Sequence, residues 1–159
     1  MLFRSTEVTG IMQGLAMAGG RVVVTLVKLE QPGGHGNEEV VFEVASHPSL
    51  PLRPLAKVAS GGELSRISLA IQLVAAKESA VGTLVFDEVD SGIGGAVAQT
   101  VGRLMKQLGA DRQVLAVTHL PQVAACADHH LVVAKQRVGT ATLSHVNALQ
   151  KEARVSEIA

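Results

Sequence analysis

The 159-residue chain has no tryptophan, no tyrosine, three phenylalanines and a single cysteine. One cysteine, Cys126, excludes an internal disulfide and fits a reducing compartment. It reads as a small buried residue beside Ala124 and Ala125. With aromatics at 2% and apolar residues at 47%, the core has to be built from valine, leucine, isoleucine and alanine. No sign of charge dominates, since Lys plus Arg and Asp plus Glu are 14 each. That balance removes the electrostatic argument for nucleic-acid binding. Long apolar runs are missing too. Ile67 to Ala76 is interrupted by Gln72 and closed by Lys77, well short of a membrane span. Arg4 and Glu7 break up the start of the chain, so secretion is not expected. The six histidines fall at no metal-ligand spacing, and one cysteine argues against zinc. His35, His47, His129, His130 and His145 read as surface or loop residues.

What remains is enough for one domain with a real core, at a mean hydropathy of +0.31. Residues 1–20 place Ile11, Leu15 and Ala18 at helical spacing, which predicts a helix stopped by Gly19-Gly20. Arg21 to Leu29 and Glu38 to Ala45 are valine-rich, with turn chemistry between them from Gln31 to Asn37. They predict a β-hairpin. Ser46 to Pro54 carries three prolines and predicts an extended linker.

Beyond Ser60 short apolar runs alternate with helical patterns. Thr83 to Phe86, Gln113 to Thr118 and His130 to Ala134 read as strands buried on both faces of a parallel sheet. Glu63 to Glu78, Gly95 to Leu108 and Pro121 to Ala127 read as helices. The alternation predicts an α/β layer architecture. Thr140 to Val146 adds a candidate edge strand and Gln150 to Ala159 a last helix.

Three motifs carry chemistry. Ser60-Gly61-Gly62-Glu63 opens a helix. Taken alone it is a capping box, with Ser60 as cap and Glu63 three residues on. Its glycines also allow an anion to approach backbone N–H groups at a helix N-terminus, where the dipole favours negative charge. Asp87-Glu88 ends the strand Thr83 to Phe86, where α/β sheets place their ligands. A carboxylate there can hold Mg²⁺ and its neighbour can polarise a water for attack on phosphorus. Alone, the pair also fits a solvated acidic loop. His119 ends the strand before it and can donate to a phosphate oxygen, although a lone histidine at that place also fits a surface residue.

In this order, at a helix start and two strand ends, the motifs match one half of an ATP-binding-cassette head. Lys57-Val58-Ala59-Ser60-Gly61-Gly62-Glu63-Leu64-Ser65-Arg66, Phe86-Asp87-Glu88-Val89-Asp90-Ser91-Gly92-Ile93-Gly94-Gly95 and Val117-Thr118-His119-Leu120-Pro121-Gln122-Val123-Ala124 resemble the RecN family of SMC-like ATPases. So do Met17-Ala18-Gly19-Gly20 and Leu50-Pro51-Leu52-Arg53-Pro54. The resemblance implies the C-terminal lobe of an ABC/SMC-type P-loop NTPase head, a parallel sheet with flanking helices and an N-terminal β-hairpin. On this reading residues 1–20 end a connecting helix or coiled coil, 21–57 form the hairpin and Pro-rich linker, and 58–159 form the lobe. Ser60, Gly61, Gly62 and Glu63 would face the γ-phosphate of ATP held by a second head. Asp87 would be the Walker B residue for Mg²⁺, Glu88 the catalytic carboxylate and His119 the switch histidine. Asp90 to Gly95 falls in the D-loop region but departs from the small-Leu-Asp ending of most cassettes, and no residue of it is assigned a role. Recombinational repair of DNA double-strand breaks, head dimerisation and a bacterial, cytoplasmic, nucleoid-associated location are likewise implied, with no membrane involvement.

The 159 residues contain no Gly-x-x-x-x-Gly-Lys-Ser/Thr loop. Without that cradle the phosphates lose their main backbone nest, so the chain alone is expected to bind ATP weakly and not hydrolyse it. Strands left without the missing N-terminal lobe are expected to present open edges. Two other readings stand beside this one: a non-catalytic interaction module or decayed fragment, and an SMC-like head outside RecN.

Overall fold

The first helix ends before its glycines. In a computed structural model, which describes residues 2–34, 36–58, 60–87, 90, 92–139 and 141–158, α1 spans Leu2–Gly14. It does not reach Gly19-Gly20 because Gln13 folds its side chain over the exit. Its amide donates to the carbonyls of Thr9 (3.0 Å) and Gly20 (2.9 Å), and its oxygen accepts from the Gly19 N–H. Ala16 takes a left-handed φ of 58° in that turn, so Leu15 and Met17 both reach the core.

Strand β1 (Arg21–Gly33) pairs antiparallel with β2 (Gly36–Ala45), in register from Arg21↔Ala45 to Lys28↔Glu38. The register shifts between Lys28 and Gly33, around Pro32, which has no N–H to give to a ladder. The hairpin is therefore longer than its valine-rich runs. The Pro-rich linker is partly ordered: β3 (Arg53–Pro54) adds to β2, and a 3₁₀ turn follows at Leu55–Lys57.

Helix α2 (Gly61–Glu78) buries Ile67, Ala70, Leu73 and Val74 on one face. Its C-terminal carbonyls are satisfied from a distance, by the Arg112 guanidinium donating to those of Ala76 and Ser79. Strand β4 (Thr83–Phe86), α3 (Gly95–Leu108) and β5 (Gln113–Ala116) form a βαβ unit, with β4 and β5 parallel from Thr83↔Gln113 to Phe86↔Ala116. These strands are not buried on both faces as expected. Val85 (67% exposed) in β4, its partner Leu115 in β5 and Val117 just beyond it (59%) leave one face open.

After the single-turn α4 (Pro121–Ala124), the run at His130 to Ala134 also departs from expectation. It belongs to β6 (Leu131–Val138), which pairs with β7 (Ala141–Ala148) in a separate antiparallel hairpin and not in the parallel sheet. Helix α5 (Lys151–Ile158) is fastened to the end of α4 by Arg154, which donates to the carbonyls of Ala124, Ala125 and Ala127. Lys106 pairs with Asp128 nearby and holds that carboxyl below its usual range. Among the described residues no helix is long and apolar enough to cross a membrane.

One core joins α1, the β1–β2 hairpin, α2, β4, α3 and α4, and takes no residue from β6, β7 or α5 among the described residues. Met12, Leu15, Ile67, Leu73 and Val101 are almost fully enclosed in it. The seam between α3 and α4 is closed by Gly102. A Cβ built there would stand 2.8 Å from Cys126 Sγ and 3.1 Å from Val123 Cα. Cys126 is half-buried in this seam rather than enclosed. In an open helix Gly→Ala would gain about 1 kcal/mol. Here overpacking of roughly 1–3 kcal/mol opposes that gain. Gly102→Ala is therefore expected to lower the melting temperature, by up to about 8 °C for a domain of this size, in a circular-dichroism melt.

Candidate functional site

Ser60 holds extended backbone angles (φ −98°, ψ 121°), and its hydroxyl accepts from the Glu63 N–H at 3.4 Å. The Ser60 carbonyl accepts the first helical bond, from the Leu64 N–H at 3.0 Å. The serine half of the capping box read from the sequence is thus present. The N–H groups of Gly61 and Gly62 lie in the first turn, where the helix supplies no acceptor. A Cβ built on Gly61 would meet nothing within 4 Å, so that backbone lies open to any approaching group. Ser60 and Gly61 are exposed, and Gly62 and Glu63 half-buried.

Strand β4 delivers Asp87 to an exposed position at its C-terminal end, and the ladder runs on as the Val117 N–H donates to the Phe86 carbonyl at 2.8 Å. Glu88 lies outside the described residues. The chain then turns. The Ile93 N–H donates to the Asp90 carbonyl at 3.2 Å, and Gly92 has φ +75° at the third position of that turn. This is the place where a type II turn requires glycine. The turn packs backbone to backbone on the start of α2. A Cβ built on Gly92 would lie 3.8 Å from Gly62 Cα, and one built on Gly62 would lie 3.9 Å from the Gly92 carbonyl oxygen.

Asp90 is the residue that sequence reasoning left without a role. It is 1% exposed, the buried charged side chain among the described residues. Its Oδ2 accepts from the Thr118 hydroxyl and from the His119 backbone N–H at 3.2 Å. Its Oδ1 lies 3.5 Å from His119 Nδ1, within ion-pair reach. Thr118 Oγ1 in turn accepts from the Leu120 N–H at 3.0 Å. The His119 ring is 72% exposed, so it stands at the surface above a buried anchor.

The structure therefore brings together the start of α2, the turn from Asp90 to Ile93, and the end of β5 with Thr118 and His119. Among the described residues no hydrogen bond or ion pair ties Asp87 to His119. No cluster of three or more His, Cys, Asp or Glu side chains there could hold a metal by protein ligands alone. An exposed single carboxylate suits Mg²⁺, which keeps waters and takes its other ligands from phosphate. The open N–H groups of α2 suit an anion. The donors present fit a Mg²⁺-nucleotide in part, without the backbone nest that would enclose its phosphates.

The fold is that of SMC head domains. The Smc head domain of Pyrococcus yayanosii superposes with a TM-score of 0.76 at 21% identity, over 98% of this chain and 28% of that one. An SMC ATPase head solved in work on ATP-driven dimerization and DNA-stimulated activation gives 0.71 at 24% identity, over 96% of this chain and 87% of that one. No protein-family model matches the chain. In sequence the chain is related to the C-terminal part of bacterial DNA repair proteins named RecN. It is 47% identical to RecN of Xylella fastidiosa over 157 residues, which is 98% of this chain and 28% of the relative. It is 48% identical to RecN of Vibrio cholerae over 137 residues, or 84% of this chain and 25% of that protein. It is 44% identical to RecN of Streptomyces coelicolor over 166 residues, or 97% and 29%. The chain spans 25% to 29% of the length of these relatives.

Proposed function

We propose that this chain supplies one face of an ATP site that is completed by a second head and by a lobe carrying the phosphate-binding loop. The observation that carries the reading is the packing of Gly62, at the open N-terminus of α2, on the turn that anchors His119 through Asp90. Ser60, Gly61 and Gly62 present N–H groups and a helix dipole to the γ-phosphate of ATP held by the second head. Glu63, in the same first turn, fixes the cap. Asp87 holds Mg²⁺, which when bound neutralises phosphate charge. Glu88 accepts the proton of an attacking water, and His119 contacts a phosphate oxygen. The open face of β4 and β5, with Val85 and Val117 exposed, is where the N-terminal lobe of the same head packs. Kinship to RecN supports a role in recombinational repair of broken DNA in the bacterial cytoplasm, at the nucleoid. DNA contact rests on that kinship alone, since the chain carries no net charge.

Steady-state phosphate release tests the reading. The chain alone is expected to show no turnover above background. Joined to the lobe of a RecN relative that carries Gly-x-x-x-x-Gly-Lys-Ser/Thr, it is expected to bind ATP and hydrolyse it. A joined, folded head that binds no nucleotide sinks the proposal. Turnover by the chain alone that survives purification and vanishes in Glu88→Gln would show that the phosphate loop is dispensable.

A further inference from the structure

Asp90 turns both carboxylate oxygens toward one strand end. Oδ2 holds the Thr118 hydroxyl and the His119 N–H, and Oδ1 lies 3.5 Å from His119 Nδ1. The carboxylate is buried while the imidazole is exposed, so the fixed partner is the aspartate and the adjustable one is the ring. An ionised carboxylate only accepts, and the nitrogen facing it is favoured as N–H.

We propose that Asp90 is a positioning residue for His119, holding the neutral ring as the Nδ1–H tautomer with Nε2 turned outward. The inference rests on the reading of His119 as the phosphate-contacting residue for its functional meaning, although the pairing itself does not. With Nδ1–H kept toward Asp90, an anionic oxygen approaching Nε2 is bound only when that nitrogen is protonated as well, and Asp90 offsets the added charge. The same carboxylate belongs to the turn whose Gly92 packs on Gly62.

The test is the ring-nitrogen spectrum of His119 in the 159-residue chain, labelled with ¹⁵N and recorded above the pH at which the imidazole is protonated. The His119 signals are identified by their absence in His119→Asn. The wild-type ring is expected to show a protonated Nδ1 and a bare Nε2. Asp90→Asn keeps an oxygen for Thr118 and the His119 N–H, but can set an amide donor against Nδ1. Its ring is expected to switch to Nε2–H. Thr118→Val removes the hydroxyl and leaves the carboxylate facing the ring, so the wild-type tautomer is expected to persist. A wild-type ring protonated at Nε2 overturns the proposal, as does an unchanged tautomer in a folded Asp90→Asn chain. If Asp90→Asn does not fold, the wild-type and Thr118→Val spectra decide. A merely structural Asp90 would hold the loop without selecting a tautomer. Because no nucleotide is present, an Nδ1–H ring in a joined head that binds no ATP would sink the functional reading and leave the pairing standing.

Discussion

Replacing Glu88 by glutamine in a head rebuilt from this chain and a phosphate-binding lobe is expected to lower kcat by about 10²–10⁴-fold, the range for loss of a positioned general base. ATP binding is expected to persist. Glutamine keeps the shape and hydrogen-bonding reach of glutamate but accepts no proton at neutral pH. A kcat loss without a binding loss marks an interaction made in the transition state only. Asp87→Asn provides the contrast. Asp87 is exposed at the end of β4 and is proposed to hold the metal, so its loss is expected to weaken nucleotide binding as well as turnover. Equilibrium binding and phosphate release on both variants separate the two roles. If Glu88→Gln hydrolyses ATP at the wild-type rate, the assignment of the base is wrong.

The elements with strong punctuation were legible in the sequence. Gly94 before α3 and Gly109 after it bracket the helix at the bounds that the pattern predicts, Gly95 to Leu108. Thr83 to Phe86 is a strand as read, and Ser60 caps α2 as the Ser-x-x-Glu spacing requires. The three strings around Ser60, Asp87 and His119 were specific enough to point to RecN, and the relatives bear that out. Periodicity was blind to three things. It could not tell that Leu131 to Val138 leaves the parallel sheet, because a short apolar run reads alike in either kind of ladder. It could not place the end of α1, which a tertiary bond from Gln13 to Gly20 decides. It also missed Asp90. An aspartate before Ser91-Gly92 is ordinary turn chemistry, and nothing local reveals that its side chain is buried against Thr118 and His119, 28 and 29 residues on.

Leu73→Ala is expected to destabilise the chain by about 2–5 kcal/mol, the range for removing a buried leucine and leaving a cavity. Leu73 is 1% exposed on the face of α2 that also carries Ile67, Ala70 and Val74. Domains are stable by only about 5–15 kcal/mol, so this one change removes a large share. The margin is further narrowed by the open face of β4 and β5, where Val85 and Val117 contribute little burial. Leu64→Ala on the same helix is the control. Leu64 is 42% exposed, and its loss is expected to stay within about 0.5 kcal/mol, as for surface changes. In urea the Leu73→Ala midpoint should fall while the slope is kept, the sign of lost stability in an otherwise unchanged transition. The core change also reaches the site. α2 is held by this apolar face, and its first turn sets Gly62 against Gly92. Below the melting transition, amide exchange at Gly61, Gly62 and Gly92 is therefore expected to quicken in Leu73→Ala and not in Leu64→Ala. Equal exchange in the two variants would mean that the start of α2 is held by its cap and the Gly92 contact alone, independently of the core beneath it.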